Sequence, residues 1–308
     1  MTSLTKLFSM QAKWINWVIF IALSIIWGSS FLLMKIGMSE GQFQLSPFQV
    51  ASLRMLFSGL VLIPFALKAF KAIPKEKLGI VILSGILGSF IPAYLFCIAE
   101  TKIDSALAGI LNSLTPLFTI LVGIAFFKLD ADGKKIIGIL LGLVGLSLSV
   151  AAGKGISLDN FSYSFLVIIA TVFYGINVNM VGKFMRNIAA LDIASIAFVF
   201  SIVPSFIILY ATGYFSYDFS NVVFIQASIA GGILGIINTS LASILFYILV
   251  KRSGIMFAAM VTYAIPFVSL ALGLFYNEPI HPLRIAGLVI ILVGVYIVNK
   301  KTTTKKLA

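Results

Sequence analysis

The chain has 308 residues, of which 60% are hydrophobic and only 10% charged, against about 45–50% and 25% in water-soluble domains. Most of it therefore cannot face water, and no separate soluble domain fits beside the apolar stretches. The formal charge of +12 does not mark a nucleic-acid partner, because the basic residues lie in loops between apolar runs and form no aromatic-interleaved patch.

Apolar stretches fall at about 15–34, 48–67, 78–99, 104–127, 136–152, 162–182, 193–212, 222–249, 255–276 and 283–299. They predict an all-α membrane protein of ten transmembrane helices within a single membrane domain, 1–308. The first run follows Lys6 and Lys13 as in a signal peptide, yet it continues past Trp27 to about Met34 with no small-residue cleavage site, so a retained helix is expected. Arg54 falls inside the second run. It could counter a substrate carboxylate, pair with another group, or snorkel toward an end of the span. In the third run the single cysteine, Cys97, has no disulfide or metal-ligand companion and reads as a small apolar filler. The only histidine, His281, sits between Pro279 and Pro282 in the last loop. Neither a metal site nor a cofactor is expected.

Glu100, Asp104 and Glu278 all fall at helix ends, so a mid-span carboxylate proton relay has no support. The chain also lacks a Gly-x-x-x-x-Gly-Lys phosphate loop, which argues against direct ATP drive. With the N-terminus in the cytoplasm, 17 of the 22 Lys and Arg residues fall on the cytoplasmic side. Lys35, Lys102, Lys154 and Arg284 lie opposite. The positive-inside bias thus predicts a multi-pass protein of a bacterial inner membrane with both termini cytoplasmic.

An internal duplication follows from spacing. Gly109 to Gly123 around Pro116 matches Ala259 to Gly273 around Pro266 at a constant offset of 150. Gly138 and Gly145 correspond to Gly287 and Gly294 at an offset of 149. Ser84-Gly85-Ile-Leu-Gly88 echoes Gly231-Gly232-Ile-Leu-Gly235, and Trp27-Gly28 echoes Tyr174-Gly175. Five spans per copy is an odd number, so the second copy enters the membrane inverted, an arrangement suited to opening a central site alternately to either side. The repeats are assigned to 14–152 and 160–300.

These residues, in this order, resemble the drug/metabolite transporter superfamily and its EamA-type members with two five-helix repeats. The resemblance covers nearly the whole chain. It rests on Trp27-Gly28-Ser29-Ser30-Phe31 with Lys35, on Pro47 with Arg54, on Gly85-Ile-Leu-Gly88, on the Pro116 and Pro266 helices, and on Gly138 to Gly145, Glu278, Gly287 and Gly294. It implies that helices one to four and six to nine enclose a central cavity while helices five and ten form a peripheral pair. It also implies transport of amino acids, related metabolites, purines or drugs, often outward, and favours a structural role for Arg54 near the outer end of its span. The family's usual glutamate after the fourth helix is replaced here by Phe126-Phe127-Lys128-Leu129-Asp130.

Polar side chains within apolar spans are the first candidates for a substrate path, since they are costly unless they find partners or line water. Trp27, Ser30 and Met34 share one face of helix one, as do Tyr174 and Asn177 of helix six. Asn112, Thr115 and Pro116 cluster in helix four, opposite Thr262, Tyr263 and Pro266 of helix nine. Asn238, Thr239 and Ser243 populate helix eight. Tyr94 completes the candidates as an aromatic surface for planar or apolar solutes. Such groups also serve simply as interhelical hydrogen bonds worth roughly 0.6–2 kcal/mol. Pro116 and Pro266 should kink their helices and free a carbonyl one turn earlier. Gly138-x-x-x-Gly142 and Gly231-x-x-x-Gly235 are read as packing motifs, and a monomer or a weak homodimer through helices five and ten is expected. An electroneutral lining would favour zwitterions or uncharged solutes. A channel, a membrane receptor and an intramembrane enzyme are the competing readings, the enzyme lacking a convergent nucleophile and base.

Overall fold

A computed structural model describes residues 3–38, 45–129, 133–151, 158–275 and 281–299. Glu278, Asp130 and Lys154 lie outside the described residues. The described helices group into ten rods: α1 (Ser3–Gly37), α2 (Pro47–Leu60 and Ile63–Ala72), α3 (Lys75–Ala99), α4 (Ser105–Phe127), α5 (Gly133–Ala151), α6 (Leu158–Phe184), α7 (Ala190–Ala211), α8 (Val222–Ser253), α9 (Ile255–Phe275) and α10 (Pro282–Asn299). Among the described residues, seven helices are long and apolar enough to cross a membrane, or eight if the bent α2 is one span. Two further apolar helices are shorter, Leu140–Ala151 within α5 and Pro282–Gly294 within α10.

Local chemistry sets the ends and breaks. Ser46 and Gln49 form a reciprocal capping box before Pro47 at the start of α2, and the Asp104 side chain accepts from the Leu107 N–H at the start of α4, each meeting orphan donors of a first turn. The two halves of α2 meet at 64°, with Pro64 in the first turn of the second half, where a missing N–H is harmless. Residues 68–72, expected in a loop, continue this second half. α4 breaks at Ser113 and Leu114 just before Pro116, and the Asn112 carbonyl that the proline leaves without its usual donor accepts a 2.7 Å hydrogen bond from Thr115 Oγ1. Pro266 lies inside α9, whose helix is interrupted earlier, at Met260. Two π-helical turns widen α3 at Ile86–Phe90 and α8 at Leu234–Leu241, each beginning within one of the two segments whose sequences echo one another.

Packing crosses the midpoint of the chain. α1 rests on α8 and α9, whereas α6 rests on α3 and α4. Two glycines permit these approaches: a Cβ on Gly28 would stand 2.5 Å from Val268 Cβ of α9, and one on Gly175 would stand 2.9 Å from the Phe118 and Thr119 backbone of α4. α5 and α10 pack chiefly on each other. Their contact is backbone to backbone, Gly145 meeting Gly287 and Gly294 meeting Gly138. These small residues are therefore used between helices of one chain.

Two large apolar clusters and a smaller one make the core. One of the large pair gathers Phe31, Met34, Tyr94, Phe96 and Leu107 with Tyr214 and Phe224; the other gathers Leu23, Val81, Val181, Ile193 and Phe246 with Tyr247 and Leu249. Trp27 packs against both. The smaller one joins Ile110, Leu114 and Leu117 to Leu288 and Ile291. The exposed apolar surface includes Trp14, Trp17, Phe126, Phe206, Leu274 and Phe275, which suits hydrocarbon rather than water.

Candidate functional site

A cavity lies where the two large clusters meet, walled by side chains of α1, α2, α3, α4, α6, α8 and α9. Eight of the ten sequence candidates reach it: Trp27, Ser30, Asn112, Thr115, Tyr174, Asn177, Asn238 and Thr262. Met34, Thr239 and Ser243 join them. Tyr94 and Tyr263 do not. The Tyr94 hydroxyl is 2.8 Å from Ser52 Oγ and its ring packs beside Phe48 and Phe90; Tyr263 turns instead toward Ile110, Leu114 and Leu288, between α4 and α10.

Helix geometry explains both departures. Tyr94 follows the π turn of α3, which shifts the phase of every later side chain, and Phe96 takes the cavity-facing place. Adjacent residues on a helix point about 100° apart, and at this position the step carries Tyr263 to the side of α9 that meets Ile110, Leu114 and Leu288.

Several polar groups already have partners in the protein. Ser30 Oγ donates to the Trp27 carbonyl at 2.6 Å, Thr115 Oγ1 to that of Asn112, and Thr262 Oγ1 to that of Ala259 at 2.8 Å. With their protons spent on their own helices, these hydroxyls present oxygen lone pairs to a solute. Trp27 Nε1 donates to the Asn238 carbonyl at 3.0 Å, and the Asn238 side-chain amide donates back to the Ile26 carbonyl, a reciprocal latch between α1 and the π turn of α8. Across the cavity, Asn177 Oδ1 accepts from Ser84 Oγ at 2.5 Å, tying α6 to α3.

Gly88 makes room for this second tie: a Cβ there would stand 2.2 Å from Asn177 Nδ2. Gly88→Ala should therefore displace the Asn177 side chain while the helices, which touch through that flexible group, stay packed. If the cavity carries solute as the family resemblance implies, flux should fall about tenfold, the loss of one to two hydrogen bonds at roughly 0.5–1.5 kcal/mol each, with the unfolding midpoint little changed. Unaltered flux in vesicles would count against a role for Asn177 in the path.

Arg54, for which the sequence leaves several roles open, is buried to 8% exposure on the cavity wall. Nε donates to Thr239 Oγ1 at 2.7 Å and Nη1 points at Met34 sulfur at 3.8 Å. No hydrogen bond or ion pair joins it to a carboxylate among the described residues. The lining is therefore electropositive and not electroneutral. The available signal was depth: Arg54 sits two turns into a helix that starts at Pro47, too far in for easy snorkelling. Ser89, Phe96 and Phe246 also line the cavity; the two phenylalanines carry nothing that separates them from packing residues, whereas the Ser89 hydroxyl is a polar signal that sequence reasoning missed.

At the other end of α4, Asp104 Oδ2 pairs with Arg284 Nη1 of α10 at 2.5 Å, with side chains 17% and 8% exposed.

The sequence pattern of the family described as EamA-like transporters matches this chain twice, over residues 14–151 and 161–300. An uncharacterized transporter of Archaeoglobus fulgidus is 26% identical over 93% of this chain and 99% of its own length. A protein of Escherichia coli named a probable amino-acid metabolite efflux pump is 29% identical, over 40% of this chain and 38% of its own. An uncharacterized transporter of Bacillus subtilis is 23% identical over 93% and 92%. A solved crystal structure, 18% identical, superposes with a TM-score of 0.61 over 94% of this chain and 97% of that one, which speaks for a shared fold. These likenesses point to a transporter rather than an enzyme.

Proposed function

Since the chain belongs to the EamA-like transporter family, we propose that it is a secondary transporter which moves small organic solutes, amino acids or related metabolites among them, out of the cell by alternating access. The observation that carries this reading is the convergence of polar side chains from seven helices, drawn from both halves of the chain, on one cavity between two apolar clusters. Each cluster closes one end of the path in this reading, and conduction requires that they loosen in turn.

Ten membrane passes fit it, the shorter α5 and α10 included, as does an inverted duplication over 14–152 and 160–300. The crossed packing supports the inversion: Gly28 of α1 rests on the Pro266 helix as Gly175 of α6 rests on the Pro116 helix, and both π turns begin in matching segments. Both termini are assigned to the cytoplasm of an inner-membrane protein. In keeping with this, Lys77 Nζ donates to the Phe184 carbonyl, Lys183 Nζ lies over the Phe127 and Phe184 rings, and Arg252 Nε donates to Asn16 Oδ1. These contacts gather one set of basic helix ends on a single side, as the positive-inside rule requires. Trp27, Ser30, Asn112, Thr115, Tyr174, Asn177, Asn238 and Thr262 are assigned to the substrate path, and a monomer is the working unit.

The test is efflux from proteoliposomes loaded with a mixed amino-acid and metabolite pool, read by mass spectrometry with and without an imposed pH gradient. Selective, saturable loss of particular solutes is expected, abolished by Trp27→Ala and reduced by Asn112→Ala. Unitary currents in a planar bilayer, or the same leak from vesicles carrying the variants, would remove the carrier reading.

A further inference from the structure

Among the described residues, Arg54 is the one charged side chain on the cavity wall, and it makes no ion pair there. Arg54 is buried on the wall, and its partners, Thr239 Oγ1 and Met34 sulfur, are neutral. They engage Nε and Nη1, and among the described residues no hydrogen bond from Nη2 of this cavity-lining side chain is found. Buried charges are ordinarily paired, and the geometry of a guanidinium fork matches two oxygens of a carboxylate. Around it stand the Phe96 and Tyr174 rings, stacked at 6.0 Å between centroids, and Trp27 beside Phe246 at 5.2 Å. No carboxylate joins Arg54 on the wall.

We propose that the solutes taken by this cavity carry a carboxylate, held by Arg54, and an apolar or aromatic body lying against Trp27, Phe96 and Tyr174. This deepens the transporter reading by naming a substrate class, and it rests on that reading only for what happens after binding. An amino-acid ammonium group has no acidic partner in the wall; it is left to the lone pairs of Ser30, Thr115 and Thr262 and to the aromatic faces. The carboxylate is thus the required group and the ammonium an accessory one. Binding of an acid gives Arg54 a counter-charge, so an occupied carrier crosses the closed state with that charge paired, whereas an amine alone would add a second positive charge beside the first.

Equilibrium binding to the purified, detergent-solubilised chain tests this without any transport cycle. The probes are phenylalanine, 3-phenylpropionate, phenylalanine amide and phenethylamine, with leucine and leucinamide as an aliphatic pair, each measured by calorimetry at millimolar concentration. The acids are expected to bind at least about tenfold more tightly than the matching amides and amine, the usual margin of a charge-assisted pair. Arg54→Gln should erase that margin and Arg54→Lys should keep part of it. Should Arg54→Gln fail to fold, Met34→Glu supplies an internal carboxylate beside Nη1 and should displace the acids while the charge of Arg54 remains. Phenylpropionate is expected to bind comparably to phenylalanine; binding by phenylalanine alone would overturn the accessory role given to the ammonium. Equal affinity for acids and amides, retention of the margin in Arg54→Gln, or no binding by any acid would overturn the proposal. Acid-selective binding with no flux in vesicles would instead sink the transporter reading and leave this one standing.

Discussion

Replacing Asp104 by alanine is expected to cost this protein more stability than any other single change at a helix end. Asp104 has two tasks: one carboxylate oxygen accepts from the Leu107 N–H of its own helix, and the other pairs with Arg284 at 2.5 Å. Losing the cap costs about 1 kcal/mol. Leaving the buried Arg284 without its counter-charge costs roughly 3–5 kcal/mol more. The measurement is the unfolding midpoint in a fixed detergent at a fixed heating rate. A double variant, Asp104→Ala with Arg284→Met, should recover everything except the cap, because an apolar side chain of similar length leaves no stranded charge. If the double variant is as unstable as Asp104→Ala alone, the pair is not the source of the loss.

The second large effect concerns the two glycines at the crossed contacts. Gly175→Leu forces a side chain against the Phe118–Thr119 backbone, and Gly28→Leu forces one against Val268 Cβ. Neither neighbour is the yielding tip of a long side chain, so each substitution carries an overpacking cost of roughly 1–3 kcal/mol. If the halves take equivalent roles in the transport cycle, each variant should slow flux by about tenfold or more, and by similar factors. Gly79→Leu is the control, since nothing lies within 4 Å of a Cβ there, and it should leave flux unchanged. A strong effect from one glycine with none from the other would argue against matched halves.

Much of the cavity was legible from the sequence for a physical reason. In a chain that is 60% hydrophobic, a mid-span Asn or Thr stands out, and a 3.6-residue period assigns it to a face. That is how Trp27, Ser30, Asn177 and Thr262 were found. What escaped is what breaks the period or carries no polarity. The π turn before Tyr94 shifted its phase, the break at Met260 and the 100° step separated Tyr263 from Thr262, and Phe96 is chemically indistinguishable from twenty-six other phenylalanines. The 64° bend of α2 was signalled only by Pro64, within a run otherwise uniform enough to pass as one straight helix. Arg54 is visible in the sequence as a charge within an apolar run, but composition alone does not separate a substrate partner from a structural role, and the family resemblance favours the latter. A cavity is one way to meet the cost of burying that charge.

The latch between Trp27 and Asn238 joins residues 211 positions apart, and this has a consequence for biosynthesis. At 5–20 residues per second a ribosome needs roughly 10–40 s to make that much chain. Throughout that interval α1 is already in the lipid while α8 and α9, the rods it rests on, have yet to be translated. Its Ser24, Ser29 and Ser30 bond to carbonyls of their own helix, so the waiting segment carries few unmet polar groups into the bilayer. Trp27 is the exception, with an indole N–H whose acceptor arrives last. Ribosome-bound chains truncated before residue 238 should therefore leave the centre of α1 open to lipid-phase crosslinkers, and completion of α8 should close it.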